Sequence, residues 1–452
     1  MRGMSKPVSK RVAFVALGCA KNLVDSEKML GQLAEAGCVL TNDAADADVA
    51  VVNTCGFLNE ARDEATQAIR EMVALKATGC LRRVVVAGCL VQRDGESLHE
   101  QVPGIDALVG VHNRDDVVRA VLADATGKGS KRKPCAFLHD YHPFVALDTG
   151  RLRLTPRHYA YLRISEGCNR RCTFCTIPAI RGTMRSKPPS VIMSEARELV
   201  ADGAVEIVLI GQDTTGYGQD LGYAPGLAGL LRELSRIKGL SWLRLMYTYP
   251  SALTDAMLDA MAESDRVVNY VDVPLQHIND RILEAMHRRI TRAQTETLLG
   301  RIRERIPGVR LRTTLIAGFP GETEAEFTEL LDFITTFRFD ALGVFPYSLE
   351  PDTPAGRMPE QLSAEVKDER VRRLMLAQQR IAFELGDGLV NRCFEVLVDG
   401  VEQDGFQPAR HAGQAPEVDS LTLLANCNLS PGKMITVRCT GRRDYDLTAT
   451  PV

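Results

Sequence analysis

The stretch Glu166-Gly-Cys-Asn-Arg-Arg-Cys-Thr-Phe-Cys175 puts Cys168, Cys172 and Cys175 at the spacing C-x3-C-x2-C, in a segment rich in Arg, Asn and Gly. A structural zinc site needs four closed ligands, usually as two separated pairs, and no fourth Cys or His stands just beyond these. A disulfide set leaves one thiol over, and nothing in the chain points to export. Thiolates also hold iron–sulfur clusters, and a cubane held by three of them keeps one iron open to a substrate or cofactor. Three solvent-facing cysteines in a loop are the bland alternative, but unprotected clustered thiols are an oxidation hazard.

Beyond this motif, strand and helix patterns alternate. Residues 159–164, just before it, and 205–210, 243–246, 271–273, 309–316 and 342–345 read as strands; 190–200 (behind a Ser190 cap), 227–237, 254–262, 293–305 and 323–336 read as helices. About six βα units predict a partial parallel barrel, open on one side, with function gathered in the loops after the strands. Those loops are Gly211-Gln-Asp-Thr-Thr215, Pro274-Leu-Gln-His277 and Gly318-Phe-Pro-Gly-Glu-Thr323. Their amide and carboxylate groups on Gly-rich turns suit a nucleoside cofactor, although a Gly-Pro turn is mostly just a turn. A helix of mixed charge over 364–385 follows, expected to be a solvent-facing connector.

On the N-terminal side, residues 12–17, 49–52 and 84–87 are short Val-rich runs, each followed by a helical pattern such as 26–36 or 59–75. They predict a Rossmann-like parallel α/β domain. Cys19, Cys55 and Cys89 each lie just past one of these strands, beside Gly18, Gly56 and Gly88. The C-terminal ends of parallel strands share one edge, where ligands collect. A single such cysteine reads as core. Three at the same topological position predict a second cluster site with an open iron. Cys38 and Cys80 do not repeat the placement and read as packing residues. Residues 126–155 lose periodicity and read as a linker, and the basic run 128–133 within them as a solvated loop.

The tail, residues 388–452, reads as short strands with turns at Asp399-Gly and Pro431-Gly, a small OB-like β-barrel. It carries six basic and eight acidic residues, a net of −2, so a basic protein partner is expected rather than RNA. The whole chain has 452 residues, 45% hydrophobic and 25% charged, with net charge −3. That is ample for several cores and argues against disorder or wholesale nucleic-acid attraction. No run of about 18 apolar residues predicts a membrane span, and the polar, basic start does not read as a secretory signal. The expected domains are 11–125, the linker 126–155, 156–386 and 388–452.

The three-cysteine motif resembles the signature of the radical S-adenosylmethionine (SAM) superfamily. There, SAM chelates the open iron and is cleaved reductively to a radical that takes hydrogen from an unactivated carbon. Over its whole length the chain resembles the methylthiotransferases, which join an N-terminal cluster domain, a radical-SAM core and a C-terminal TRAM barrel. The resemblance rests on Leu17-Gly-Cys-Ala-Lys-Asn-Leu-Val-Asp-Ser-Glu27, Asn53-Thr-Cys-Gly-Phe57, Ala87-Gly-Cys-Leu90 and the three-cysteine motif. Within the family it is similar to members that modify an aspartate of small-subunit ribosomal protein S-twelve. That likeness is carried by Ile164-Ser-Glu-Gly-Cys-Asn169, Ile210-Gly-Gln-Asp-Thr-Thr215, Val271-Asp-Val-Pro-Leu-Gln-His277 and Val344-Phe-Pro-Tyr-Ser348. Relatives acting on tRNA adenosine typically carry Gly-Gln-Asn-Val-Asn in place of Gly211–Thr215.

The resemblance implies two [4Fe–4S] clusters. Cys168, Cys172 and Cys175 would hold the one that cleaves SAM; Cys19, Cys55 and Cys89 would hold an auxiliary one whose open iron carries a sulfur species. SAM would serve as both methyl donor and radical source. Gln212, Asp213 and Gln276 are candidates to contact SAM or substrate. The partner implied is S-twelve, free or in the small ribosomal subunit; a cytoplasmic location and an electron donor of ferredoxin or flavodoxin type are expected, with no membrane partner and no direct nucleic-acid substrate. Two alternatives stand beside this reading. One is a tRNA adenosine (isopentenyladenosine) methylthiotransferase with the same core. The other is a non-catalytic iron–sulfur carrier or RNA-binding protein, which would need no cofactor cleft.

Overall fold

The computed structural model describes residues 9–123, 134–138, 145 and 147–452; the basic run 128–133 lies outside them. The chain divides into two compact units. One holds residues up to Leu154 together with Glu166–Asn169 and Thr176–Arg185; the other holds Thr155–Ser165, Arg170–Cys175 and Ser186–Val452.

In the first unit, β1 (Arg11–Ala16), β2 (Val39–Thr41), β3 (Val49–Thr54), β4 (Arg83–Gly88), β5 (Ala107–Gly110) and β6 (Cys135–Phe137) form one sheet. The order is β2-β1-β3-β4-β5-β6 and every pair is parallel. The strands are apolar on both sides because both faces are covered. Val85 and Ala87 join one buried cluster with Met29, Leu33 and Val117, while Val84 and Val86 join another with Ala65, Ile69 and Leu90. Strand β2 lies outside β1, so the chain reverses its direction of travel across the sheet between β1 and β3. Such a switch point opens a crevice at the carboxyl ends of the strands.

Two expectations need correction here. Residues 135–137, inside the expected linker, pair in register with β5 as the edge strand, and the Arg114 guanidinium ties Asp148 at 2.6 Å. Short apolar edge strands leave little periodicity to read. Cys38 is buried as expected, but Cys80 is exposed in the turn after the helix Asn59–Ala77, too far along to pack.

The second unit carries β7 (Tyr159–Arg163), β8 (Glu206–Ile210), β9 (Trp242–Leu245), β10 (Tyr270–Asp272), β11 (Arg310–Ala317) and β12 (Ala341–Pro346). They form two parallel triplets, β7-β8-β9 and β10-β11-β12. Between β9 and β10 the ladder thins to a bridge from Leu243 to Val267. The result is the expected partial barrel. Ser190 does not cap its helix: Pro189–Ala201 starts on a proline at the first turn, where a missing N–H costs nothing. The helix Ala364–Asp387 is not simply solvent-facing. It buries Arg370, Leu374, Gln378 and Ile381, and Gln378 donates to the Phe339 carbonyl just before β12.

The tail forms a closed barrel of β13 (Cys393–Val398), β14 (Phe406–His411), β15 (Thr422–Ala425), β16 (Met434–Arg443) and β17 (Asp446–Pro451). It meets the amino ends of the partial-barrel strands through charged and hydroxyl groups, most of them buried. Glu417 accepts from the Tyr159 and Tyr161 hydroxyls at 2.9 and 3.0 Å. Asp419 accepts from Tyr270 at 2.7 Å and from Arg312 at 3.2 Å. Glu206, fully buried, pairs with Arg244 at 2.8 Å and Arg410 at 2.7 Å. Asp399 takes Arg410 at 2.6 Å and faces His158 at 2.9 Å. Burial and then Glu417 raise the pKa of both tyrosines, so they remain donors. The charge expectation for the tail is corrected by these contacts. Asp399, Asp419 and Arg410 are spent inward, which leaves six acidic and five basic residues of the tail for the surface. That surface carries a net of −1, close to balance.

Removing one partner of a buried pair strands the other charge. Glu206→Gln leaves the buried Arg244 guanidinium without its anion and Arg410 with Asp399 alone. It is expected to lower unfolding stability by about 3–5 kcal/mol, read as a fall in the urea midpoint.

Candidate functional sites

In the first unit, β1, β3 and β4 are neighbours, and Cys19, Cys55 and Cys89 follow their ends. Cys19 is the N-cap residue of the helix Ala20–Glu35, and Cys89 opens the helix Cys89–Asp94 behind Gly88 at φ 99°. Helix N-termini favour anions, and Cys19 sits where a thiolate is stabilised. The glycines are required by space. A Cβ on Gly18 would lie 3.0 Å from the Cys55 Cβ; one on Gly56 would lie 2.8 Å from Cys89 backbone; one on Gly88 would lie 2.3 Å from the Asn53 Oδ1.

The thiols are near enough to repel one another as anions. Burial raises the pKa of Cys55, with Cys19 adding to it; burial pushes Cys89 up to about 12, against the pull of Arg181, with Cys19 and Cys55 adding. Cys19 goes the other way. As a residue it is exposed, yet its thiol lies deep among neighbouring atoms and desolvation is the largest single influence. Lys21, Arg181 and the backbone N–H groups of Asn22 and Lys21 together outweigh it and lower the pKa.

Arg181 is the cation at this edge. Its guanidinium is buried and donates to Asn22 Oδ1 at 2.7 Å, Asp25 Oδ2 at 2.9 Å, Cys89 Sγ at 3.1 Å and Glu166 Oε2 at 3.2 Å. Asp25 is shared with Arg114 at 3.3 Å. No sequence signal marks this role. Arg181 sits in a short helix, Ile177–Arg181, where no period can mark a buried face.

Among the described residues no three His, Cys, Asp or Glu side chains close around a single metal ion. A cubane makes a different demand, since each protein ligand binds a different iron and the sulfurs need not meet at a point. Three thiols, neighbouring cations, and glycine backbone where side chains would intrude fit such a group. Iron would displace the protons now held by Cys55 and Cys89.

The three-cysteine loop is divided between the units. Cys168 belongs to the first, where its N–H donates to the Gly182 carbonyl at 3.1 Å; Cys172 and Cys175 belong to the second, joined by a turn from Cys175 N to Cys172 O at 3.1 Å. Thr173 pins the latter part through its N–H to Met286 and its hydroxyl to Ala285. Cys172 Sγ accepts from Arg288 Nη1 at 3.4 Å. The Tyr249 ring takes two guanidiniums, with Arg170 at 4.1 Å and Arg288 at 4.4 Å from its centroid. Neither Arg288 nor Tyr249 carries a functional signal in the sequence; His287-Arg288-Arg289 looks like a solvated basic run.

The three expected contact residues differ in what they have left to offer. Asp213 is buried, with one oxygen on Arg170 at 2.6 Å and the other on Thr215 N at 3.1 Å, so it braces its loop. Gln212 is half-buried beside it. Gln276 adopts φ 75° and bridges to Leu315. Its amide oxygen is buried with no hydrogen-bond partner, an unmet demand for a donor at the carboxyl end of the strands.

Residues 162–334 match the Radical SAM superfamily, 11–110 the family UPF0004 and 390–452 the TRAM domain. Along its length the chain is 45% identical to "Ribosomal protein uS12 methylthiotransferase RimO" of Anaeromyxobacter sp. strain K, covering 98% of this chain and 94% of that one. It is 42% identical to the protein of that name from Geobacter sulfurreducens, covering 97% and 98%. The chain belongs to the RimO family of methylthiotransferases. It is thus a radical SAM enzyme with iron–sulfur and SAM chemistry. Among solved structures, TsrM of Kitasatospora setae, a radical S-adenosylmethionine methyltransferase, shares the fold with TM-score 0.58 at 18% identity, over 77% of this chain and 75% of that one. The cobalamin-dependent enzyme OxsB gives 0.51 at 14% identity, over 83% and 56%.

The thiol environments of this RimO-family chain order its reactivity. In the metal-free protein, Cys19 is expected to alkylate first and Cys89 last, since a thiol of pKa about 12 is ionised to roughly one part in 10,000 at pH 8. Timed iodoacetamide labelling with peptide mapping reads the order.

Proposed function

We propose that this enzyme inserts a methylthio group at the β-carbon of an aspartate in ribosomal protein uS12, using two [4Fe–4S] clusters and SAM. The observation that carries the two-cluster part is the placement of Cys19, Cys55 and Cys89 after three adjacent parallel strands; the substrate part rests on the relatives' names. When bound, the cluster on Cys168, Cys172 and Cys175 supplies reductive SAM cleavage and the one on Cys19, Cys55 and Cys89 supplies the sulfur to be transferred.

The chain's own residues bind, orient and hold charge. Gly18, Gly56 and Gly88 keep side chains away from the thiol edge. Arg181 neutralises thiolate charge there and is itself held by Asp25 and Glu166. Asp213 fixes Arg170, and with it the loop after β8. Gln276, with its unpaired amide oxygen, is assigned to receive a donor from SAM or substrate, with Gln212 alongside. Glu322 accepts from the Gly318 and Phe319 N–H groups at 2.8 and 3.0 Å and closes the turn after β11. An electron donor of ferredoxin or flavodoxin type and a cytoplasmic setting belong to the same proposal. Among the described residues no helix is long and apolar enough to cross a membrane.

The test is one anaerobic reaction. Reconstituted protein, SAM, reductant and sulfide meet both a uS12 loop peptide and unmodified tRNA, read by mass spectrometry. A methylthio mass gain on the peptide's aspartate alone is expected; a gain on adenosine alone would move the enzyme to the tRNA-modifying relatives. Cys55→Ala is expected to lose about half of the bound iron and all methylthio transfer while still cleaving SAM, whereas Cys172→Ala abolishes cleavage. Full product from the Cys55 variant would sink the two-cluster assignment.

A further inference from the structure

A buried guanidinium needs an anion, because a charge taken out of water is costly unless paired. Other arginines of the interior obey this. Arg114 has Asp25 and Asp148; Arg181 has Asp25 and Glu166; Arg244 and Arg410 share Glu206; Arg370 has Glu322. Arg288 is only 4% exposed, yet among the described residues no carboxylate pairs with it. Its guanidinium meets the Cys172 sulfur at 3.4 Å, the Pro274 carbonyl and the face of Tyr249. Of these only the sulfur can carry a full negative charge.

The position is held firmly. His287 and Arg289, on either side, both have φ of 53°, a left-handed conformation that residues with a Cβ adopt at a cost. Tyr249 returns a hydrogen bond from its hydroxyl to the Arg288 carbonyl at 2.8 Å. The backbone is bent on both sides of Arg288, and the side chain it delivers ends on a cysteine sulfur.

We infer that Arg288 is the counter-charge of the Cys172 thiolate and raises the reduction potential of the cluster that this cysteine helps to hold. The inference rests on the reading of Cys168, Cys172 and Cys175 as cluster ligands. Reduction adds one electron from an external donor, and a fixed cation bonded to a ligand sulfur stabilises the more negative, reduced state. Arg288 acts through Cys172, so it is a positioning residue rather than a catalytic one. Its effect is to bring the cluster within reach of a weaker donor.

The test uses the full-length chain with Cys19→Ala, Cys55→Ala and Cys89→Ala, which leaves one cluster to observe. Into it go Arg288→Gln and Arg288→Lys. Each protein is reconstituted with iron and sulfide, assayed for iron, and titrated redox-potentiometrically by electron paramagnetic resonance, first without SAM and then with it. The glutamine variant is expected to keep its iron and to lose about tenfold in the ratio of reduced to oxidised cluster at a fixed potential, a midpoint about 59 mV lower. The lysine variant recovers part of this, having the charge without the planar fork. Iron lost from the glutamine variant but kept by the lysine variant also supports the counter-charge. Iron lost from both would overturn it, since shape rather than charge would then decide. An unmoved midpoint without SAM overturns it too, including where SAM binding alone weakens, which would make Arg288 a SAM contact instead. If the parent lacking Cys19, Cys55 and Cys89 takes up no cluster, the ligand reading itself falls, and this inference with it.

Discussion

The constraint on which the first unit depends is the shared edge of a parallel sheet. Parallel strands all end on one side, and β1, β3 and β4 are adjacent, so thiols one to three residues past each end must collect. The reversal of chain direction between β1 and β3 keeps that edge open. Everything else there follows from crowding and charge. Glycines stand where a Cβ would strike a neighbouring turn, and Arg181 stands where thiolates need a cation. Arg181 in turn needs Asp25 and Glu166, and Asp25 needs Arg114, so one cation at the thiols draws a buried network behind it.

The second unit solves the opposite problem. Its chemistry belongs at the carboxyl ends of the strands, so the amino ends are free for structural use. The C-terminal barrel is fastened there by Glu417 and Asp419 on Tyr159, Tyr161, Tyr270 and Arg312, and by Glu206 between two arginines. A charge count along the tail registers Asp419 as surface, because sequence does not distinguish a carboxylate facing water from one facing a buried tyrosine. A surface so close to balance gives little electrostatic preference between a protein and an RNA partner. The preference for a ribosomal protein rests on kinship instead.

Much of the fold is legible in the sequence because the signals are periodic or topological. Val-rich runs such as 49–52 and 84–87 mark doubly covered strands, and the repeated position of Cys19, Cys55 and Cys89 after such runs is enough to mark a common edge. The edge strand Cys135–Phe137 is not legible, since three residues carry no period. Nor are Arg181 and Arg288. Both lie in short segments, and an arginine looks the same in sequence whether water or a thiolate faces it. Asp213 shows the converse. Its place in a loop marks it as a contact residue, whereas the fold gives its two oxygens to Arg170 and Thr215.

Asp213 also bears on the sequence resemblance, by which relatives that modify tRNA typically carry Asn at its position. Asn offers a single neutral oxygen. It could accept from Thr215 or from Arg170, but not hold both with the strength of an ionised carboxylate. The Arg170 guanidinium stacks on Tyr249, and Tyr249 also carries Arg288 on its ring. Asp213 therefore fixes one of two cations that meet the same aromatic ring. It does so from a loop distant in sequence from every cysteine of the motif, through a residue that lies between Cys168 and Cys172. An Asn at this buried position would therefore change the charge balance of the three-cysteine loop rather than the surface offered to a substrate.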